Sequence, residues 1–516
     1  MRAFVVAALV VAAFLGLDSF DVEIGRVLSF HVIDRHDASR VPWLSALWLT
    51  PLLTAVVVAR IHDASWARVF ARGGAALTLA LSIAVVRRFR PELDGLQFVE
   101  TLPGQLVGLS YHLGVDGISA TLVFLQALVV TLLLVALGRR TRRSALVSLL
   151  TLHAVGLLGL VSVNLLVVAL VTMLRVLPAA LLIGHSAPEA GARVSTKWFV
   201  RPMLVSTVLL LAVVLAMGTA TGSFDFERIA EHGLDQNTQA LAFVPFMIAV
   251  AIRLPLVPFH GWLIRLIEGS PALAAVPIAL APAGHYLFLR IGLELLGDAV
   301  GRHTVVLASL AVASMLYCVL VGLAQASLRS SLAYFQLAIS SSLLVGVASA
   351  DPMGPTAGLL NACNLAIAGT GLLVIADIVH ARVGTTDFAA LGGLVRTAPT
   401  LTGLFLVISL AYAGFPGTLG FVAEHLASHG AFDAHPAVAM TMLAAVNLAS
   451  VVLWWSFARA CLGPWRQPHL AKFADLLARE RVVLLAIAVI VIGAGWWLEP
   501  WVAMVAPTLS AHVPHP

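Results

Sequence analysis

The stretch AIRLPLVPFHGWLIRLIEGSP, residues 251–271, puts a charged side chain, two prolines and a histidine into an otherwise apolar run. Arg253 lies in the run itself, and Pro255 and Pro258 follow it closely. Proline has no backbone N–H and its ring crowds the preceding turn, so a helix entering here stops and leaves carbonyls without partners. Between apolar flanks of membrane length, this reads as a broken membrane helix. Such breaks are tolerated where the loosened backbone lines a polar cavity. His260, just past the break, can titrate near neutral pH. The plainer alternative is a kinked structural helix, with Arg253 paired to a neighbour and His260 merely hydrogen-bonded.

A second stretch, AYAGFPGTLGFVAEHLASHGAF at 411–432, has the same character. Gly414, Pro416, Gly417 and Gly420 punctuate an apolar helix, and Glu424 follows on its continuation. A carboxylate beside a break can load and release a proton if its burial disfavours the charge. Alternatively, Glu424 lies near the membrane surface and is solvated alongside His425 and His429. One broken helix in each half of the chain suggests an internal repeat, the best sequence pointer to a transport path. A third signal is Arg175 in LVTMLRVLPAALLIGH, 170–185. An ionisable group at mid-membrane costs at least ~2.5–3.5 kcal/mol. Arg175 therefore needs a carboxylate, an amide or water, with Asn164 and His153 as candidate neighbours. A structural ion pair and a place on a proton path remain equally open. His285 and Asn364 are weaker signals of the same kind.

Composition agrees with a membrane reading. Charged residues are 11% of the chain and apolar residues 60%, against about 25% charged in ordinary soluble domains. Mean hydropathy is +0.98. That excludes soluble enzymes, nucleic-acid-binding proteins and disordered tails, because so few charges cannot cover so much apolar surface. Cys318, Cys363 and Cys461 have no paired spacing, and no GxGxxG, P-loop or HExxH occurs. No cofactor or metal is therefore expected, and no nucleic-acid partner.

Apolar runs fall at 3–17, 43–60, 68–87, 117–138, 144–160, 162–184, 199–218, 239–267, 271–297, 303–324, 329–349, 355–379, 399–425, 435–460 and 481–505. They predict an all-α polytopic membrane protein of about 14–15 helices. Arg139, Arg140, Arg142, Arg143, Arg193, Lys197, Arg201, Arg329, Arg382, Arg396, Arg466, Lys472 and Arg479 fall on one side of this count. Asp225, Glu227, Glu231, Asp235, Asp351 and Asp433 fall on the other. The positive-inside rule makes the first side cytoplasmic. Arg87, Arg88 and Arg90 fit less well, falling outside. Residues 1–17 read as a retained extra helix or as a signal sequence.

In these segments the chain resembles the antiporter-like membrane subunits of respiratory complex I, most closely subunit M of bacterial NADH:quinone oxidoreductase, with relatives in Mrp-type antiporters. The resemblance is carried by LQFVE (96–100), YHLGVDGIS (111–119), VPFHGWL (257–263), TTDFAALGGLVRTAP (385–399) and FPGTLGFVAEHL (415–426). It implies two inverted five-helix repeats, each with one discontinuous helix. It also implies a chain of titratable residues carrying protons, partner subunits that supply the driving reaction, and a bacterial inner membrane. The domains are then 1–95 (N-terminal helices with an external segment), 96–430 (antiporter-like core) and 431–516 (C-terminal helices).

Carried over residue by residue, Glu424 matches the family's acid after the second break. Arg253 stands where the family usually has lysine, Met173 in place of its glutamate, and Pro282 in place of a further lysine. Ile339 and Asn364 stand where histidines are frequent. Arginine stays charged where a desolvated lysine can give up its proton, so the usual first-repeat switch is altered. The expected proton path is then Glu424, Arg253, His260, Arg175, His285 and His153, around breaks at Pro255, Pro258, Gly414, Pro416 and Gly417. Two other readings stand beside it. One is a membrane subunit for proton-coupled inorganic-carbon uptake or cation/proton antiport. The other is a structural spacer that no longer conducts.

Overall fold

The structure, a computed structural model, describes residues 31–32, 41–93, 95–106, 108–138, 141–186, 189–273, 283–346, 353–468, 470 and 473–510. The run at 3–17 and Pro282 lie outside the described residues.

Helices dominate. In chain order they begin with α1 (Trp43–Arg60), α2 (Ala64–Arg88), α3 (Gly117–Ala136) and α4 (Arg143–Val161). Then come α5 (Leu165–Leu174), α6 (Val176–Ser186), α7 (Glu189–Thr221), α8 (Phe226–His232), α9 (Gln236–Arg253), α10 (Gly261–Gly269) and α11 (Ala283–Leu287). The second half holds α12 (Gly297–Leu323), α13 (Leu328–Ser341), α14 (Leu343–Gly346), α15 (Met353–Val383), α16 (Pro399–Tyr412), α17 (Leu419–Ala434), α18 (Pro436–Cys461), α19 (Ala478–Trp496) and α20 (Glu499–Ser510).

Among the described residues, nine helical spans are long and apolar enough to cross a membrane, or ten if α19 and α20, bent by 68°, count as one span. The runs at 239–267 and 399–425 are interrupted, and the described parts of the runs at 271–297 and 329–349 are divided among shorter helices. α5 and α6 form one span with a turn at Arg175. Pro178 has no N–H to return to the carbonyl of Leu174, so the ladder is weakest there. In the 271–297 run, residues Phe288–Leu293 wind as a π-helix.

The helical core carries one addition to an all-α reading. Three strands, β1 (His31–Val32), β2 (Gln97–Leu106) and β3 (Leu109–Val115), pair antiparallel in that order. This small sheet grips one end of the bundle. Glu100 on β2 accepts hydrogen bonds from the backbone N–H of Leu44 (2.6 Å) and Ser45 (3.0 Å) and from the Ser45 hydroxyl. A buried carboxylate thus satisfies the free donors at the start of α1. Asn164 caps α5 by accepting from Val167 N (3.1 Å), and its amide donates to Gly108 O (3.0 Å) and Ser110 Oγ (2.8 Å). His112 on β3 meets Asp225 at 2.5 Å.

The opposite end is closed by arginines. Arg72 donates to the carbonyls of Leu134 (3.0 Å) and Leu137 (2.9 Å), and Arg143 to Ile61 (2.9 Å). Arg459 reaches Gln325 O (3.0 Å) and Arg466 reaches Phe388 O (2.8 Å). Cations on unpaired carbonyls at helix ends and turns are favourable. Asp225 lies at the sheet end, but so do Arg88, whose guanidinium lies over Trp43 at the start of α1 (4.4 Å), and Arg90, whose backbone pairs with Gln97 on β2, while Arg72, Arg143, Arg459 and Arg466 lie at the other end.

The last helix returns to the sheet end. α20 crosses the start of α3 so closely that a Cβ on Gly117 would stand 1.8 Å from the carbonyl oxygen of Met504, and Gly117 N–H points at Thr508 Oγ1 (3.4 Å).

Candidate functional site

Both expected helix breaks are present. α9 stops at Arg253, and α10 starts at Gly261. Between them the chain folds irregularly around Pro255 and Pro258. The carbonyl of Ala251 is taken by Leu256 N–H (2.9 Å). The indole N–H of Trp262 reaches back to Ile252 O (2.9 Å), and the Ser314 hydroxyl accepts from Val257 N (3.2 Å). The freed carbonyls of the last turn are thus partly served by side chains from across the break, as a non-helical backbone in hydrocarbon requires.

α16 stops at Tyr412 and α17 starts at Leu419. Gly414 and Gly417 take φ of +76° and +86°, in the left-handed region that suits glycine. Phe415 N–H reaches Leu410 O (3.0 Å), and the Thr418 hydroxyl donates to Phe415 O (2.6 Å). Pro416, the remaining expected break residue, lies within this turn.

The first break faces a cavity of ≈ 50 Å³ whose lining includes Thr172, Arg175, Arg253, Trp262 and Gly284. Arg253 donates to Thr207 Oγ1 (2.9 Å), and its buried Nε has no hydrogen-bond partner. Arg175, at the turn between α5 and α6, lines the same space. The neighbours considered for Arg175 from sequence are otherwise engaged. Asn164 is held by its cap and the hairpin. His153 is buried in α4, where Gln126 Nε2 approaches its Nδ1 (3.2 Å) and donates to its carbonyl (2.9 Å), leaving Nε2 without a partner. Met173 points away from the cavity and is 48% exposed. His285 is buried on α11, one residue from Gly284, which packs on Leu254 and the Arg253 backbone. His260 sits apart from the arginines, its ring edge against Tyr317 (centroids 5.5 Å), with Nδ1 buried and unpartnered.

The second break is built around one acid. Glu424 is buried on α17 and its Oε2 lies against Gly414, where any Cβ would come within 2.2 Å. Oε1 has no hydrogen-bond partner. Asn364 on α15 is fully buried with both amide atoms unpartnered, and its Nδ2 lies beside Gly420. Tyr412 OH and Ser409 Oγ at the end of α16 are buried and unpartnered too. His425 and His429 lie on the exposed face of α17, with His425 stacked on Phe421. Glu424 is therefore not one of a surface cluster.

Further polar groups, not singled out in the sequence, lie on the helices packed between the breaks. Gln336 on α13 and Asn361 on α15 are buried, each with an oxygen that finds no partner. The signal was available as isolated amides in AYFQLAIS and LLNACNLA. Buried polar atoms without protein partners are rare, since each costs about 1–3 kcal/mol unless water serves it. Among the described residues, His153, Arg253, His260, Gln336, Asn361, Asn364 and Glu424 each carry such an atom.

Residues 162–449 match the NADH:quinone oxidoreductase/Mrp antiporter transmembrane family. The chain belongs to that family. The matched segment contains both breaks and every expected site residue except His153. Among similar proteins, NADH-quinone oxidoreductase subunit M of Mycobacterium tuberculosis (strain H37Rv) is 28% identical, covering 93% of this chain and 96% of its own. The subunit M of Rhodobacter capsulatus is 26% identical, covering 90% and 95%. In fold, the chain superposes on one chain of respiratory complex I from Thermus thermophilus with a TM-score of 0.81 at 24% identity, covering 91% of this chain and 100% of that one. A chain of the Mrp complex from Dietzia sp. DQ12-45-1b gives 0.81 at 21% identity, covering 91% and 97%. These likenesses bear out the family resemblance read from the sequence motifs.

Proposed function

We propose that the chain is a proton-translocating membrane subunit of a complex I-like assembly. The observation that carries this is Glu424, a buried carboxyl with a free oxygen beside a helix break, within a family named for NADH:quinone oxidoreductase and Mrp antiporter proteins. A proton carrier must reach both a hydrated and a desolvated environment, and a break offers both. Glu424 is the group that loads and releases the proton. Tyr412, Asn364, Asn361 and Gln336 orient water beside it. Arg253 and Arg175 keep their charge and act as fixed positive fields rather than proton carriers. His153, His260 and His285 are relay candidates on the first-break side.

The wider reading follows the same lines. The two breaks belong to two inverted repeats within residues 96–430, flanked by 1–95 and 431–516. The basic end of the bundle faces the cytoplasm and the hairpin end faces outward, in a bacterial inner membrane. Other membrane and soluble subunits supply the driving reaction.

Glu424→Gln keeps shape and hydrogen-bonding capacity but carries no proton. In vesicles containing the whole assembly it abolishes most coupled proton uptake, with assembly intact by size-exclusion. Unchanged coupling overturns the carrier role and favours a structural spacer.

A further inference from the structure

We propose that the cavity between Arg175 and Arg253 is a binding site for one small monovalent anion. The argument begins with charge. Two guanidinium groups line one cavity and repel each other across it. Among the described residues, neither has a carboxylate within ion-pair distance. Among the described residues, the buried arginines Arg290 and Arg329 are paired. Arg290 lies between Asp116 (2.5 Å) and Glu294 (3.2 Å), and Arg329 meets Asp377. Two half-buried like charges that face one cavity between apolar helices without a counter-ion are unfavourable, because their partial desolvation is not offset by attraction. Arginine does not escape by losing its proton, since its pKa is too high for that even when buried. No described side chain supplies the counter-ion, and the cavity leaves space for one from solution.

The cavity suits a small one. A water molecule needs roughly 10–15 Å³, so ≈ 50 Å³ admits a halide or a planar oxyanion with one or more waters beside it. Donors are already in place. Arg253 Nε is unpartnered, while one of its terminal nitrogens is tied to Thr207, which fixes the guanidinium plane. The Thr172 side chain adds a hydroxyl to the lining. The Trp262 N–H is spent on Ile252 O, so recognition falls to the guanidinium groups. Forked N–H donors favour planar oxyanions such as nitrate and formate over a spherical ion.

The test uses the intact assembly with a fluorescent tag on this chain. The assembly is heated in sodium gluconate, chloride, nitrate or formate at equal ionic strength and then resolved by size-exclusion. For the wild type, chloride, nitrate and formate each raise the temperature of half-loss saturably relative to gluconate, with nitrate and formate half-saturating at lower concentration. Arg253→Lys keeps one charge but loses the fork, and its half-saturating nitrate concentration rises tenfold or more. Thr172→Glu keeps both arginines and adds a tethered carboxylate, and its stability no longer responds to added anion. No anion response in the wild type overturns the proposal. So does the same response in wild type, Arg253→Lys and Thr172→Glu, which would be a general salt effect. No driving reaction is needed, so a failure here is distinguishable from a failure of proton conduction.

Discussion

At the first break, prolines interrupt the helix and the side chains that gather there are cationic; at the second, glycines interrupt it and the group that gathers there is a carboxyl. The backbone solution is nearly shared. In each break an N–H reaches five residues back, Leu256 to Ala251 O and Phe415 to Leu410 O. The difference lies in what the loosened turn admits. Around Arg253 it opens a cavity that two guanidinium groups enter. Around Gly414 it closes on Glu424, whose carboxyl fits only because no side chain stands at that position. One break thus gathers guanidinium groups, and the other a single carboxyl.

The comparison can be broken most severely at Gly414. Gly414→Ala has to place a Cβ where the Glu424 oxygen lies, at a φ costing about 1–3 kcal/mol for a side chain. We expect coupled proton uptake in vesicles to fall at least tenfold, approaching Glu424→Gln. The counterpart Gly261→Ala at the first break has no contact closer than 4.0 Å and lies in a helix. It should leave uptake unchanged and stability equal or slightly raised. Equal losses from both would erase the distinction.

A smaller effect is expected from Trp262→Phe, which keeps an aromatic ring but removes the donor to Ile252 O together with part of the buried ring volume. An unpartnered buried carbonyl costs about 1–3 kcal/mol. The tagged assembly should therefore melt at a lower temperature while Glu424-dependent uptake persists. Met173→Leu and His425→Ala touch outward faces beside each break, and both should fall within about 0.5 kcal/mol of wild type with full uptake. A loss of uptake in Met173→Leu would mean that the outer face of α5 takes part after all.

Glu100 offers a control remote from both breaks. Burial pushes its carboxyl up from 4.5 to about 7, against the pull of the Ser45 and Leu44 hydrogen bonds. The folded state therefore binds the proton more tightly than the unfolded one. Its contribution to stability is present below pH 4.5 and is lost as pH rises through about 7. The stability of wild type relative to Glu100→Gln should fall across that interval in thermal melts, and a rise would contradict it.

The breaks were legible in the sequence because proline and glycine act locally: Pro255, Pro258, Gly414 and Gly417 impose their geometry wherever they stand. The placement of Glu424 was legible for the same reason, since its distance along the chain from Gly414 fixes its position once the break is known. Partnerships across the fold were not. Arg175 lies close in sequence to Asn164 and His153, but tertiary packing ties both of those elsewhere and brings Arg253 to it from far along the chain. The hairpin at 97–115 was hidden because Pro103 and Gly104 fall inside β2 and long apolar helices flank it, and Glu100 carries no local sign that its partner is the start of α1. Gln336 and Asn361 could have been found by asking of every buried amide what it bonds to.

The closure of α20 over Gly117 has a consequence for biogenesis. The glycine and the threonine hydroxyl it faces are 391 residues apart. At about 5–20 residues per second, a ribosome delivers the covering helix roughly 20–80 s after α3 has left the exit tunnel. Throughout that interval the first turn of α3 waits uncovered in the translocon or beside it. Completion of the sheet end of the bundle is therefore a late, post-insertion event that depends on α20 arriving.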